Sequence, residues 1–371
     1  MAADLPEMPF LRNIGLILTY KCQVTCPHCI IQAGPHRTEE MRAQDAFDWI
    51  RQAAAYRDHH IRVLSLTGGE PFYDIGKLKQ IADFGEACGF LVSAATNAFW
   101  ATTVDQAVSI LKSLSAIKMI AISTDVYHQV SIPFARVKNA ILAAGECDVA
   151  FNVSVCTESE EDVGYVNVIK QLETVIDRSL INTAITFPAG RALIKIGQLG
   201  HQTTESPPVS ACAAGSSPII FPDGRVIACI GPVVDLGSLH PLALGSLRTR
   251  CLEEILEGAE LNPILHAVRV WGPRKLISLL KEAGLAGFLP ARYIKDSVCN
   301  ACYTLMASDG IVRFLSELGE DPEFRRKVAY ARLYYLQEAR MLELLAEKED
   351  LEVAEDGQAG RHGGCGRAAV G

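Results

Sequence analysis

An α/β fold is what this 371-residue sequence predicts: a partial (β/α)6, TIM-like barrel followed by a small C-terminal extension built from a β-hairpin and helices. Three observations predict it. Short runs that are apolar on both faces alternate with stretches whose apolar residues recur at helical spacing. Polar and glycine-rich motifs follow those runs, at the C-terminal rim where barrels place chemistry. Near residue 196 the alternation ends and cysteine-bracketed, turn-rich sequence begins.

The strand candidates are Ile14–Leu18, Val63–Thr67, Phe90–Thr96, Met119–Ser123, Val149–Val155 and Ile181–Phe187. Between them, Val104, Ala107, Val108 and Leu111 mark one helical face; Phe134, Val137, Ile141 and Ala144 a second; Tyr165, Ile169, Leu172 and Ile176 a third. Right-handed crossovers wind six such units into an open sheet rather than a closed eight-stranded barrel. The barrel is expected over 10–196 and the extension over 197–310. Residues 197–210 read as a linker, with Pro207-Pro208 near its end. Asp223-Gly224 between two apolar runs signals a hairpin, with Cys212 before it and Cys229 after it. An insert with helical stretches such as Trp271–Leu280 leads to Cys299-Asn-Ala-Cys302. A C-terminal helix is expected over 311–348, with Phe324, Val328, Ala331, Tyr335, Leu342 and Leu345 on one face. Residues 349–371, charged and then rich in Gly and Ala, read as disordered, and Cys365 within them as an inert thiol.

Composition narrows the function classes. Hydrophobic residues make up 49% of the chain, enough for a sizeable core. A net charge of −8 and the lack of a dense Lys/Arg run argue against a nucleic-acid partner. Neither a signal peptide nor a membrane span is apparent, which points to the cytoplasm. There, twelve cysteines read better as metal ligands than as disulfides. Cys88, Cys147, Cys156 and Cys251 lack partner spacing and read as small buried hydrophobes.

The chemistry starts at Cys22, Cys26 and Cys29, spaced C-x3-C-x2-C just after the first strand. Three thiolates on one loop can hold three irons of a [4Fe–4S] cluster and leave the fourth open to a small chelating molecule. Zinc is the alternative, but structural zinc wants four ligands, and His28, between Pro27 and Cys29, is poorly placed to be the fourth. The ferredoxin spacing does not fit. After the second strand comes Gly68-Gly69-Glu70-Pro71. Glycines at a strand end let the backbone approach a ligand closely, and Glu70 can accept a hydrogen bond from an ammonium. A plain turn is the competing reading. Cys212, Cys229, Cys299 and Cys302 can close around a second metal centre, for which zinc and an iron–sulfur cluster are equally open on the residues alone.

In these motifs the chain resembles the radical S-adenosylmethionine (SAM) superfamily. The likeness runs through Thr96-Asn97, Ser123-Thr124-Asp125 and Pro188-Ala-Gly190-Arg191, over about residues 14 to 195. It implies that the first cysteine loop binds the cluster and the Gly-Gly-Glu segment meets the SAM amine. It also implies that Ser123 and Asp125 lie near the ribose and that Arg191 faces the carboxylate. His28 is a departure, since many members carry an aromatic residue there. The cysteine-bracketed hairpin with a later C-x2-C resembles the Twitch form of the SPASM extension, which implies an auxiliary [4Fe–4S] cluster on Cys212, Cys229, Cys299 and Cys302.

The resemblance implies an enzyme in which SAM is cleaved reductively to a 5′-deoxyadenosyl radical that abstracts hydrogen from carbon. A reducing partner such as flavodoxin or ferredoxin follows from that chemistry. A closed auxiliary cluster favours net oxidation or rearrangement. With the first strand at Ile14, no winged-helix peptide-recognition domain is expected before it, which leans toward a small-metabolite substrate; a ribosomally made peptide is the alternative. Tyr127 and His128, beyond Asp125, are candidate catalytic groups. The rival class is a non-enzymatic iron–sulfur electron carrier or a zinc-stabilised binding module, which would need no Gly-Gly-Glu-Pro.

Overall fold

Six parallel strands form the body of the molecule: β1 (Asn13–Ile17), β2 (Val63–Thr67), β3 (Leu91–Thr96), β4 (Ile117–Ser123), β5 (Ala150–Thr157) and β6 (Ile181–Ile185). They match the expected runs to within two residues at every end. The structure, a computed structural model, describes residues 10–195, 200–237, 239–342 and 345. Helices α1 (Ala43–Ala55), α2 (Ile75–Ala87), α3 (Val104–Ser113), α4 (Val126–Gln129), α5 (Phe134–Glu146), α6 (Val163–Glu173) and α7 (Arg191–Lys195) follow the strands in turn. Leu64, Leu66, Ile120, Ile122, Val153 and Val155 are sealed on one face of the sheet, but the alternate positions include Ser65, Ser93, Asn152 and Ser154, which are half-buried, so the strands are not apolar on both faces as expected.

The extension does not form a sheet of its own around the hairpin. Its strands β8 (Ile219–Ile220), β9 (Arg225–Ile227) and β10 (Ala243–Ser246) continue the barrel sheet, in the order β10-β9-β8-β1-β2-β3-β4-β5-β6. The join is parallel, Gly15 opposite Ile219 and Leu16 opposite Ile220. The expected linker contains β7 (Thr203–Thr204), which pairs antiparallel with β11 (Tyr293–Ile294).

Helices α8 (Leu252–Glu260), α9 (Pro263–Trp271), α10 (Pro273–Glu282), α11 (Val298–Met306), α12 (Asp309–Glu320) and α13 (Pro322–Leu336) complete the fold. Two expectations need correcting. The helical stretch Trp271–Leu280 is split, because Gly272 at φ 77° ends α9 and Pro273 opens α10. The single C-terminal helix is likewise two, α12 and α13, and α13 stops at Gln337, which is left-handed at φ 54°. The turn brings Glu338 back onto Arg332 at 2.6 Å and Arg269 at 2.7 Å, inside a buried cluster with Glu260. Phe324, Val328 and Ala331 are buried as expected, whereas Tyr335 and Leu342 are 62% and 57% exposed. The expected disorder of 349–371, and Cys365, lie outside the described residues. Among the described residues no helix is long and apolar enough to cross a membrane.

Candidate active site at the barrel rim

The loop after β1 carries Cys22, Cys26 and Cys29, and two glycine contacts fix its path. Beyond β1 the ladder to the next strand continues: Leu18 N–H donates to Thr67 at 2.8 Å, Gly69 N–H to Thr19 at 2.6 Å and Glu70 N–H to Lys21 at 2.9 Å. Gly68 sits at φ +146°, and a Cβ there would run into the Thr19 backbone; one on Gly69 would run into Tyr20 and Lys21. The glycines therefore serve a close approach to the cysteine loop, and the Gly69 amide is given to Thr19. From the other side Gly190, at φ +58°, presses on the carbonyls of Cys29 and Ile30. Arg191 donates its backbone N–H to Cys29 at 3.0 Å and its guanidinium to the carbonyls of Cys26 at 2.6 Å and Ala33 at 2.5 Å.

Within the loop, Cys29 N–H donates to the Cys26 carbonyl at 3.2 Å and Ala33 N–H to Cys29 Sγ at 3.3 Å. Cys22 and Cys26 are buried and Cys29 is half-buried. Burial pushes the Cys22 thiol up to about 12, with further contributions from the charges of Glu70, Cys26 and Cys29. Burial also raises Cys29. Such thiols stay protonated until a metal takes the proton's place.

Glu70 is 0% exposed. Its carboxylate accepts from Phe72 N–H at 3.1 Å, Thr96 Oγ1 at 2.9 Å and Asn97 N–H at 2.7 Å. Burial pushes its pKa up to about 7, against those donors. A carboxylate offers about four lone-pair positions, so one remains for an ammonium. Asn97 in turn donates Nδ2–H to Cys22 Sγ at 3.6 Å and accepts from Gln23 at 2.7 Å, which ties the Gly-Gly-Glu segment to the first thiol. Pro71 opens a short 3₁₀ turn, Pro71–Asp74, where its missing N–H costs nothing.

After β4, Ser123 ends the strand and the buried Asp125 caps α4, accepting from Tyr127 N–H and His128 N–H, both at 2.9 Å. Its other oxygen meets His128 Nδ1 at 2.8 Å and His28 Nε2 at 3.4 Å. Burial opposes charge on both partners, but Asp125 and Cys26 outweigh it and hold His128 well above its ordinary range, while His128 pulls Asp125 below the usual carboxylate range. His28 is lowered by burial, and its Nδ1 is buried with no partner among the described residues. The Tyr127 hydroxyl reaches Glu158, which also accepts from Thr186 Oγ1 at 3.1 Å; Thr186 meets His201 at 2.8 Å. A cavity of about 260 Å³ opens there, lined by Glu158, Glu160, Glu161, Gln202, Lys295 and Asp296. A larger one of about 380 Å³, between α9 and α13, touches none of these groups.

The second thiol set is drawn together from three elements. Cys212 precedes a 3₁₀ turn and donates its N–H to Val268 of α9 at 3.2 Å; Cys229 follows β9; Cys299 and Cys302 lie on successive turns of α11. Burial raises Cys229, Cys302 and Cys299, the last to about 12, and the charge of Cys212 acts on all three. Among the described residues, one group of three or more candidate ligands has its ligand atoms within 4.8 Å of one another: His28, Asp125 and His128. Neither cysteine set closes to that spacing.

Sequence reasoning noted His28 as a departure in the cysteine motif but missed Cys156, Glu158, Thr186 and His201 as rim groups. Cys156, read as a packing thiol, lies near enough to Asp125, Cys26 and Cys29 for their charges to raise it further above the shift that burial gives. The one local signal was the position of His28 inside the cysteine motif.

No family model matches the chain. The "Putative peptide biosynthesis protein YydG" of Bacillus subtilis (strain 168) is 21% identical over 308 residues, spanning 80% of this chain and 92% of that protein. Among solved structures, that of BtrN in complex with AdoMet and 2-DOIA covers 70% of this chain and 88% of that one at 13% identity, with a TM-score of 0.42, a likeness too distant to carry an argument.

Proposed function

We propose that Cys22, Cys26 and Cys29 hold the SAM-binding cluster and that Cys212, Cys229, Cys299 and Cys302 hold a closed auxiliary [4Fe–4S] cluster. One observation carries this reading, and with it that of a radical SAM enzyme using SAM and a [4Fe–4S] cluster: Cys22, Cys26 and Cys29 share the loop after β1, which Asn97 joins to the buried Glu70, while Cys212, Cys229, Cys299 and Cys302 make a second thiol set from three further elements. When bound, the open cluster and SAM supply reductive cleavage of the sulfonium and a 5′-deoxyadenosyl radical.

The chain's own residues bind and orient. In this reading Glu70 offers its remaining lone pair to the SAM ammonium, and Asn97 holds Cys22. Ser123 and Asp125 face the ribose. Arg191, whose described bonds go to carbonyls, keeps its charge for the SAM carboxylate. Gly68, Gly69 and Pro71 shape the turn that brings Glu70 to that place. Tyr127 and His128, joined to Glu158 and Asp125, are the groups able to hold or move a proton at the substrate. A closed auxiliary cluster held by Cys212, Cys229, Cys299 and Cys302 would supply an electron acceptor, as net oxidation requires; a rearrangement would draw no net electron from the substrate. A flavodoxin- or ferredoxin-like partner supplies reducing electrons. A cytoplasmic setting suits these cysteines, since all eleven within the described residues are free thiols.

The substrate is a small metabolite in the first reading. A second reading, a peptide, is favoured by the Bacillus relative. This chain spans 92% of that protein, so too little of it lies outside the match for a winged-helix domain. A winged-helix domain is therefore not required for the peptide reading.

Anaerobically reconstituted protein is expected to hold about eight irons and, once reduced, to release 5′-deoxyadenosine. Replacing Cys22, Cys26 and Cys29 by Ala should leave the auxiliary iron and abolish release. Tightly bound zinc at the second set would overturn the auxiliary-cluster reading. Deuterium transfer into 5′-deoxyadenosine from labelled peptides, compared with labelled metabolites, separates the two substrates.

A further inference from the structure

Asp235 lies six residues after Cys229, in the turn that leaves the second thiol set. Its Oδ2 accepts the backbone N–H of Gly190 at 2.6 Å. Gly190 has no room for a side chain because it rests on the carbonyls of Cys29 and Ile30, and the next residue, Arg191, grips the same loop at Cys26, Cys29 and Ala33. The turn is anchored at its other end too. Arg225 of β9 donates to the Val234 carbonyl at 2.8 Å, and Val234 N–H donates to Gly231 at 3.2 Å. A Cβ on Gly231 would stand 3.2 Å from Cys229 Sγ, so this turn runs directly over that thiol. Tyr303, next to Cys302, lies within reach of the Asp235 charge. A short chain of contacts thus runs from Cys229 through Asp235 to Gly190 and Arg191, and from there to Cys26 and Cys29.

We infer that Asp235 is a positioning residue that couples the auxiliary thiol set to the cysteine loop and arginine of the SAM site. Metal at Cys229 fixes the turn, the turn holds Asp235, and Asp235 holds Gly190 where Arg191 can both brace the loop and meet SAM. The bond is charge-assisted, the stronger class of hydrogen bond, although the carboxylate is exposed to solvent. Coupling of this kind is reciprocal: SAM bound at Arg191 steadies the Cys229 turn as much as the turn steadies SAM. The inference rests on the reading of both thiol sets as iron–sulfur sites.

The test uses the full reconstituted chain and measures equilibrium binding of SAM, with iron content as a second readout. Asp235→Ala is expected to weaken SAM binding about 5- to 10-fold, the range for a hydrogen bond whose charge is screened by solvent, with iron unchanged at both sites. Asp235→Asn, which keeps a carbonyl acceptor, should recover most of that loss. The Cys299→Ala/Cys302→Ala variant should lose SAM affinity by the same factor, and adding Asp235→Ala to it should cost nothing further. Wild-type affinity in Asp235→Ala, or losses that multiply in the combined variant, overturns the coupling. A wild-type chain that holds iron only at the first set, or binds no SAM, overturns the underlying reading instead, and the coupling with it.

Discussion

Glu70 has two ways to matter, and they can be told apart. Its carboxylate satisfies Phe72, Thr96 and Asn97, and the Asn97 side chain reaches Cys22. Glu70→Ala would therefore strip buried donors of their acceptor as well as remove an ammonium partner. We expect SAM binding to weaken by roughly 1.5–3 kcal/mol, the range for a hydrogen bond to a charged group. Glu70→Gln should lose a similar amount of affinity but keep part of the Asn97 support, and so release iron to a chelator more slowly than the Ala variant. Wild-type SAM affinity in both variants would remove Glu70 from the pocket. At this scale the cysteines and Gly68-Gly69-Glu70-Pro71 were legible because their signal is local spacing. Glu158, His201 and Asp235 were not. They reach the site only when the segments after β5, β6 and β9 fold over the cysteine loop, and no local pattern records that.

Glycine contacts at element ends set how tightly the cysteine loop is held. Gly190 is left-handed and lies against the carbonyls of Cys29 and Ile30. Gly190→Ala should cost about 1–3 kcal/mol for the backbone conformation alone, and the loop must shift as well. Urea unfolding should show the loss, and iron content at the first site should fall while the second is spared. The helices of the extension carry a separate signature in pH. His266 on α9 is enclosed, its Nε2–H given to the carbonyls of Ala259 at 3.1 Å and Glu260 at 2.9 Å, its Nδ1 accepting from Arg269 at 2.9 Å. Burial first, then the charges of Arg332 and Arg269, hold its pKa well below the ordinary value of 6.5. The unfolded chain thus takes up a proton that the native one refuses, and stability falls as pH drops below 6.5, by at most ~1.4 kcal/mol per pH unit. Glu70, raised to about 7, acts in the opposite sense over the same window, so the comparison must be made between variants. Urea midpoints at pH 6.5 and 5.5 should fall more for wild type than for His266→Gln; equal falls would refute the assignment. Periodicity revealed the helices, but it could not show that Gly272 splits one of them or that Gln337 turns the chain back to bury Glu338.

The whole molecule is organised by one continuous sheet. The hairpin was visible in the sequence through Asp223-Gly224, but its docking beside β1 was not, because two-residue strands such as Ile219–Ile220 carry no register signal and the pairing partner lies some two hundred residues away. That docking explains how a segment remote in sequence stands next to the first cysteine loop, since β1 leads directly into it. The two metal centres proposed for this molecule are therefore joined through one sheet and the Asp235–Gly190 hydrogen bond while differing in chemistry. In that proposal the first would have three thiolates and an open position and should suffice to cleave SAM; the second would have four and no open iron, so its work would be to accept an electron or to hold the extension. Cys299→Ala/Cys302→Ala should accordingly abolish product formation while retaining 5′-deoxyadenosine release at saturating SAM. Circular dichroism must show a folded variant, because loss of a metal site can unfold its surroundings, and the apolar packing of α11 through Ala301, Leu305 and Met306 gives reason to expect one. Product and 5′-deoxyadenosine are to be counted in the same reaction. Release of 5′-deoxyadenosine without product places the electron transfer at the second centre. Full turnover of substrate by the folded variant would show that centre to be dispensable and would leave net oxidation without an acceptor in the protein.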